Sequence, residues 1–212
     1  MKSLAFIVLF CSCFAVQAQI NWKLSTEKDG LQIYTGILPN SKLKAVRVLC
    51  TVDATAIQIT ALIIDVNSGA DWVYETKSSY LLKQVSPTEL YYYSEVNLPW
   101  PLENRDFISH LKVHQNPLSK VVTIDGPVEA DFIPEKKGVV RIRSSVGKWI
   151  ITPLTASKSK IEYTIQVDPG GSIPTWLINL FATEGPLHVI QKLKTQVELP
   201  KYRNAVLPFI VK

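Results

Sequence analysis

The chain has little with which to cross-link itself. Three of its 212 residues are cysteines, and Cys11 and Cys13 fall inside the opening apolar run. If that run is removed, Cys50 alone remains, so no internal disulfide can form and the fold must rest on packing. Within VRVLCTV a free cysteine reads as a small buried filler rather than a nucleophile. Histidines number three. His110 and His114 share a strand face but stand about 13 Å apart at the usual rise per residue, too far for one metal ion. There is no glycine-rich phosphate loop, GxSxG elbow, HExxH pair or paired-cysteine motif, so no enzyme or cofactor signature is present. Beyond residue 18 no apolar run approaches the ~18 residues needed to cross a bilayer. Charge of one sign is also modest, 23 basic against 18 acidic residues for a net +5. That balance is too weak to argue for a nucleic-acid partner, so none is expected, and it is compatible with transient contact with a membrane surface.

What is there begins with Lys2, the run LAFIVLFCSCFAV and the small-residue ending Val16-Gln17-Ala18. These are the parts of a secretory signal peptide cut after Ala18. The expectation is a signal peptide over 1–18 and a single domain over 19–212, soluble, monomeric, and periplasmic or secreted. Lipidation is disfavoured because Phe10 precedes Cys11 and stands three before Cys13.

The remaining chain alternates in the manner of a β protein. LQIYTGIL (31–38) and KLKAVRVLCTV (42–52) predict a hairpin turned at Pro39-Asn40-Ser41. Asp53 is a predicted helix cap for 54–65. SSYLLKQVS, ELYYYSEVNL, RDFISHLKVHQ and KVVTIDGPV predict four meandering strands, and 138–154 and 160–169 two more. Ser172-Ile173-Pro174 then opens a long amphipathic helix carrying Trp176, Leu177, Leu180, Phe181, Leu187, Ile190, Leu193 and Val197 at steps of three or four. Gly185-Pro186 predicts a kink or interruption in it. A strongly bent antiparallel sheet with one long helix across its mouth is the economical arrangement, an α+β fold.

Strand parity separates the residues that could meet a ligand. Leu90, Tyr92, Ser94 and Val96 form the less charged face of their strand, and Phe107, Ser109, Leu111 and Val113 that of the next; both are assigned inward. Tyr91, Tyr93, Glu95, His110, Lys112 and His114 are assigned outward. Arg105 admits two readings: a cavity-rim guanidinium for a phosphate or carboxylate head group, or a structural ion pair with a nearby acid. The opposite facing of adjacent strand residues favours the second. Arg141 and Arg143 share a face of one predicted strand, near Lys136, Lys137 and Lys148, which gives a basic strip or plain solvated surface. In NLPWPLENRDF (97–107), Trp100 locked between two prolines predicts a stiff apolar corner packed against something.

These stretches together resemble a START domain, the lipid-transfer module related to the steroidogenic acute regulatory protein. The carriers are Trp22 with EKDGLQIYTG (27–36), DATAIQITALIIDV ahead of Trp72, NLPWPLENRDF, KGVVRIRSSVGKWIITPL (137–154) and DPGGSIPTWLINLFATEGPLHVIQKLK (168–194). In order and spacing they look most like the exported bacterial members. The resemblance implies a helix-grip fold, a curved antiparallel sheet around the long C-terminal helix, enclosing an apolar tunnel for one lipid-sized molecule. It implies non-enzymatic binding, and transfer, of a lipid. Tyr92, Ser94, Phe107, Ser109, Leu111, Trp176, Leu177, Leu180 and Phe181 would line the tunnel, with Arg105 as a head-group contact. The stiff corner would pack on the neighbouring sheet edge. One departure is plain: sterol-handling animal members place an arginine six residues after the Arg of the Arg-Asp pair, where this chain has Leu111, so the sterol-type polar pair is not carried over. Rival readings are a cyclase- or hydrolase-type enzyme on the same cavity, which would need a base and a donor converging inside, and an interaction or stress protein whose cavity is filled by its own side chains.

Overall fold

The computed structural model describes residues 20–37 and 44–211. The predicted signal peptide and the turn at Pro39-Asn40-Ser41 lie outside the described residues. Ten strands are described: β1 (Lys23–Lys28), β2 (Leu31–Ile37), β3 (Lys44–Val52), β4 (Thr76–Ser86), β5 (Glu89–Val96), β6 (Asn104–Gln115), β7 (Val122–Pro127), β8 (Val139–Arg141), β9 (Ser144–Thr155) and β10 (Lys158–Asp168). They form one open sheet in the order β1-β2-β3-β10-β9-β7-β6-β5-β4, antiparallel along that path. β8 is off the path and pairs parallel with the first residues of β6. The helices among the described residues are α1 (Ala56–Ile64), α2 (Gly69–Trp72), α3 (Thr175–Gln196) and α4 (Pro200–Arg203), with a 3-10 turn at Val66–Ser68. The architecture is the α+β helix-grip arrangement, a bent antiparallel sheet gripping a long C-terminal helix.

α1 starts at Thr55 and not at Asp53. Thr55 Oγ1 accepts from the Gln58 N–H at 3.2 Å while Gln58 Oε1 accepts from the Thr55 N–H at 2.9 Å, a reciprocal capping box that Asp53 cannot form. Gln58 also donates to the Val197 carbonyl, which ties α1 to the end of α3. Buried Ile59, Leu62, Val48, Ile190, Leu193 and Val197 make the apolar seam there. α4 closes it, with the Tyr202 hydroxyl on Asp65 Oδ2 at 2.8 Å and Ser68 Oγ at 2.9 Å.

α3 runs unbroken through Gly185-Pro186, so of the expected kink or interruption the interruption does not occur, and its N-cap is Pro174 rather than Ser172. Pro186 has no N–H for the Ala182 carbonyl, a real loss. It is offset because Gly185 lies against the Tyr74 ring and the next two turns bury Val189, Ile190 and Leu193. The predicted 138–154 strand is split at Ile142-Arg143, so Arg141 and Arg143 do not share one strand face. Arg143 is exposed and pairs with Asp131 and Glu135; Arg141 is buried on Asp106, with Nε–Oδ1 at 2.7 Å. The basic strip is therefore not formed.

The outward faces of β5 and β6 also depart from expectation. They do point away from the concave side, but Tyr93, Glu95, Asp106, Ile108 and His110 are buried. The segment 128–141 folds over them: Glu129 N–H bonds the Ile108 carbonyl, Phe132 stacks on Tyr91, and Arg141 donates to the carbonyls of Ala130, Ile133 and Pro134. Lys136 and Lys77 reach Glu95 at 2.6 and 2.8 Å, and Asn104 donates to the same carboxylate. Burial alone would raise the Glu95 carboxyl; the hydrogen bonds from Lys136, Lys77 and Asn104 outweigh it and hold the group at about 2. Trp100, by contrast, is 92 % exposed beside a cis Trp100–Pro101 bond, so its ring packs on nothing among the described residues, while Leu98 and Leu102 of the same corner are half-buried.

Candidate functional site

The concave side of the sheet does not close on α3 but leaves a cavity of about 600 Å³. Register builds its walls. In the β5–β6 ladder Leu90, Tyr92, Ser94 and Val96 face Leu111, Ser109, Phe107 and Arg105, and the parity of two places all eight on one side. β9 and β10 bring Trp149 opposite Tyr163, stacked at 4.0 Å. β7 and β9 pair Gly126 with Gly147, both in the wall. A Cβ on Gly126 would come within 2.9 Å of Leu111 and Ser109, whereas one on Gly147 would meet only the Gly126 carbonyl at 3.9 Å. This glycine pair leaves room in the wall where side chains would otherwise stand.

α3 supplies the roof with Leu177, Ile178, Phe181 and Ala182, preceded by Ile173. Two expected residues are not in it. Trp176 is 61 % exposed, and Leu180 is half-buried away from the lining. At 100° per residue 177, 178, 181 and 182 share one stripe and 176 and 180 fall beside it. Phe107, Ser109, Leu111 and Tyr92 line the cavity as expected. Ser94 lines an adjoining lobe of about 240 Å³ framed by α2, β4, β5 and the middle of α3. Burial pushes the Tyr92 hydroxyl up to about 12, its cross-strand neighbour Ser109 pulling the other way, so Tyr92 stays a neutral hydroxyl. Cys50 is buried and free, its thiol raised to about 11 by burial, an apolar filler far from reactivity.

Arg105 is on the cavity side, 5 % exposed, and has no acid partner at ion-pair distance among the described residues. Its Nε donates to the Pro169 carbonyl at 3.2 Å, Nη2 to Gly170 at 3.1 Å and Nη1 to Glu103 at 2.6 Å. Gly170 and Gly171 take φ of +66° and +63°, which turns the loop's carbonyls toward the guanidinium. The expected ion pair exists, but it belongs to the neighbour: Asp106 faces the convex side and holds Arg141. Burial lowers the Arg105 pKa, the sign of a cation poorly solvated by its surroundings. Asp168 also lines the cavity, so its polar groups are more than hydroxyls, but Oδ1 takes the Gly170 N–H. Trp149, Tyr163, Ile165 and the Gly126–Gly147 pair were missed from the sequence, although alternation along KWIIT and IEYTIQV carries the signal.

The START domain family profile matches residues 15–202. The chain belongs to the START family. An uncharacterized protein of Pseudomonas aeruginosa is 33% identical over 184 residues, covering 84% of this chain and 87% of that one. The phosphatidylcholine transfer protein of Mus musculus is 28% identical over 171 residues, 78% of each chain. Among solved structures, the START fold of a STAR-related lipid transfer protein fragment from Xanthomonas axonopodis superposes with a TM-score of 0.76 at 30% identity, covering 83% of this chain and 98% of that one.

Proposed function

We propose that this START protein binds one lipid-sized apolar molecule beneath α3 and carries it without chemical change, acting outside the cytoplasm as a monomer after loss of residues 1–18. The observation that carries the reading is the open, mostly apolar cavity of about 600 Å³, a volume within the range of small-molecule sites. Its own side chains do not fill it, which speaks against a filled-core interaction protein. Lipid transfer proteins among the relatives, from mouse and from Xanthomonas axonopodis, support the same reading. An enzyme would need a base beside a donor inside; Asp168 and Arg105 are each turned to backbone groups instead.

Arg105 serves as the head-group contact, its remaining N–H groups free for a phosphate or carboxylate oxygen. The two loops that meet at Arg105 each lead to an exposed tryptophan, Trp100 before β6 and Trp176 at the start of α3. An exposed indole suits the head-group layer, so this end makes the transient membrane contact.

The test is native mass spectrometry of protein from its own envelope, with organic extraction, alongside uptake of a fluorescent fatty acyl probe by wild type and Gly147→Leu. A Cβ at Gly147 meets only the Gly126 carbonyl at 3.9 Å and Gly147 lines the cavity, so the new side chain is directed to fill it. Wild type co-purifies with extractable lipid and takes up the probe, and the variant loses most of both. Unchanged uptake by a folded Gly147→Leu protein overturns the reading.

A further inference from the structure

We infer that the smaller lobe of the cavity is a subsite for an uncharged oxygen of the bound molecule, a hydroxyl, ester or keto oxygen, which accepts a hydrogen bond from Trp72 and meets the hydroxyl of Thr76. This deepens the lipid-binding proposal and rests on it.

Four buried side-chain polar atoms have no hydrogen-bond partner among the described residues: Arg47 Nε, Thr60 Oγ1, Trp72 Nε1 and Thr76 Oγ1. Arg47 Nε nonetheless lies 2.8 Å from a carboxylate oxygen of Glu162, so its charge is matched. Trp72 and Thr76 both line the 240 Å³ lobe. Trp72 is 5 % exposed, and its ring is held against Trp149 with centroids 6.3 Å apart. An indole N–H can only donate, and a buried donor left unpaired forfeits the hydrogen bond it had to water. Two such groups at one empty lobe are what a site looks like when its ligand oxygen is absent.

Room and charge narrow the class. Gly69 lies at the lobe with Ser79 so close that a Cβ would come within 2.8 Å of it, and the Ser94 hydroxyl is a further neutral lining group. The charged residue in the lining is Asp65, and its carboxylate is already engaged by Lys201 at 2.9 Å and Tyr202 at 2.8 Å. Among the described residues no cation lines the lobe to neutralise an anion, so a phosphate or carboxylate belongs at Arg105 instead. A quaternary ammonium could rest on the aromatic rings of Trp72, Tyr74 and Trp149, but it has no lone pair for the indole N–H. The lobe adjoins the larger volume across Tyr92, Phe107, Leu111, Trp149, Tyr163 and Phe181, which line both. A molecule reaching from one into the other would place a charged head at Arg105 and a neutral oxygen at Trp72.

The experiment uses the full mature protein and displacement of a fluorescent acyl probe by a chain-matched set: an alkene, its primary alcohol, the methyl ester of the matching acid, and an alkyl trimethylammonium. Wild type binds the alcohol and the ester at least ~10-fold more tightly than the alkene, the discrimination expected of one good hydrogen bond to an otherwise unpaired donor. Thr76→Val, nearly the same shape without the hydroxyl, and Trp72→Phe each shrink that ratio several-fold while alkene binding holds or improves. The Thr76 hydroxyl has no hydrogen-bond partner among the described residues, so Thr76→Val removes none there and carries the test alone if Trp72→Phe does not fold. Equal binding of alkene and alcohol by wild type overturns the inference. So does a preference undiminished in both variants, which would mean that a resident water satisfies the two groups, and so does tightest binding of the ammonium. If the fluorescent probe itself fails to bind, the lipid-binding proposal falls, and this inference with it.

Discussion

Glu95 shows how much a single side chain can be asked to hold. It is 1 % exposed on the convex face and is met by two lysines, an asparagine and the Tyr93 hydroxyl. Its folded pKa of about 2 lies below its ordinary 4.5, so the unfolded chain binds the proton more readily. The stability it contributes is therefore complete well above pH 4.5 and is lost as pH falls through 2, on the order of 3 kcal/mol in all. Glu95→Gln should be less stable than wild type at neutral pH and show a shallower decline across that acid window, measured by urea titration at a series of pH values. Leu111, 6 % exposed and in the wall of both lobes, tests the parity of β6. Leu111→Arg would bury a second cation without a partner, and the expected result is loss of several kcal/mol or of probe uptake. Thermal melts and the displacement assay read the two outcomes together.

Among the elements, α3 is the one whose local chemistry and tertiary role disagree. A proline in its middle opposes the helix, yet the helix continues because the turns on either side are held down by Phe181, Val189, Ile190 and Leu193. Pro186→Ala returns the missing donor to the Ala182 carbonyl and should stabilise the protein by ~1–3 kcal/mol. Hydrogen exchange along α3 should slow, and if the region around Pro186 is where the roof opens, lipid transfer between vesicles should slow with it. Unchanged exchange along α3 would show that packing already supplies all the rigidity the helix has. β8 and the 128–141 segment act on the opposite face: by burying Arg141 on Asp106 they fix the start of β6, and with it the position of Arg105 on the cavity side.

At the scale of the whole molecule, the chain keeps an empty volume at its centre where most domains of this size pack solid. A bound lipid therefore stabilises by mass action, ~2.7 kcal/mol at a hundred times its dissociation constant, and removing it should lower the Tm in a manner reversed by adding lipid back. Trp100, 92 % exposed beside the Arg105 end, has no share in that core. Trp100→Ser should leave the Tm unchanged while weakening association with vesicles in a sedimentation assay. Loss of stability in that variant would show that the ring packs after all.

The alternating strands, the order of the motifs and the late amphipathic run were sufficient on their own for the α+β fold and for the inward set Tyr92, Phe107, Ser109 and Leu111. The reason is local: a pleated strand repeats every two residues, so one correct face assignment carries its neighbours. The α3 stripe was half legible, since the sequence shows which positions are apolar but the seat of the helix on β2 and β3 decides that Leu177 and Phe181 face inward and Trp176 does not. Glu95 and Tyr93 looked like solvent-facing residues because the segment that buries them comes some forty residues later, and nothing near them in the chain announces it. The same holds for the unpaired indole of Trp72 and for the guanidinium of Arg105 on the Pro169 and Gly170 carbonyls. Whether a polar atom has a partner depends on which distant backbone arrives beside it, and only the folded chain decides that.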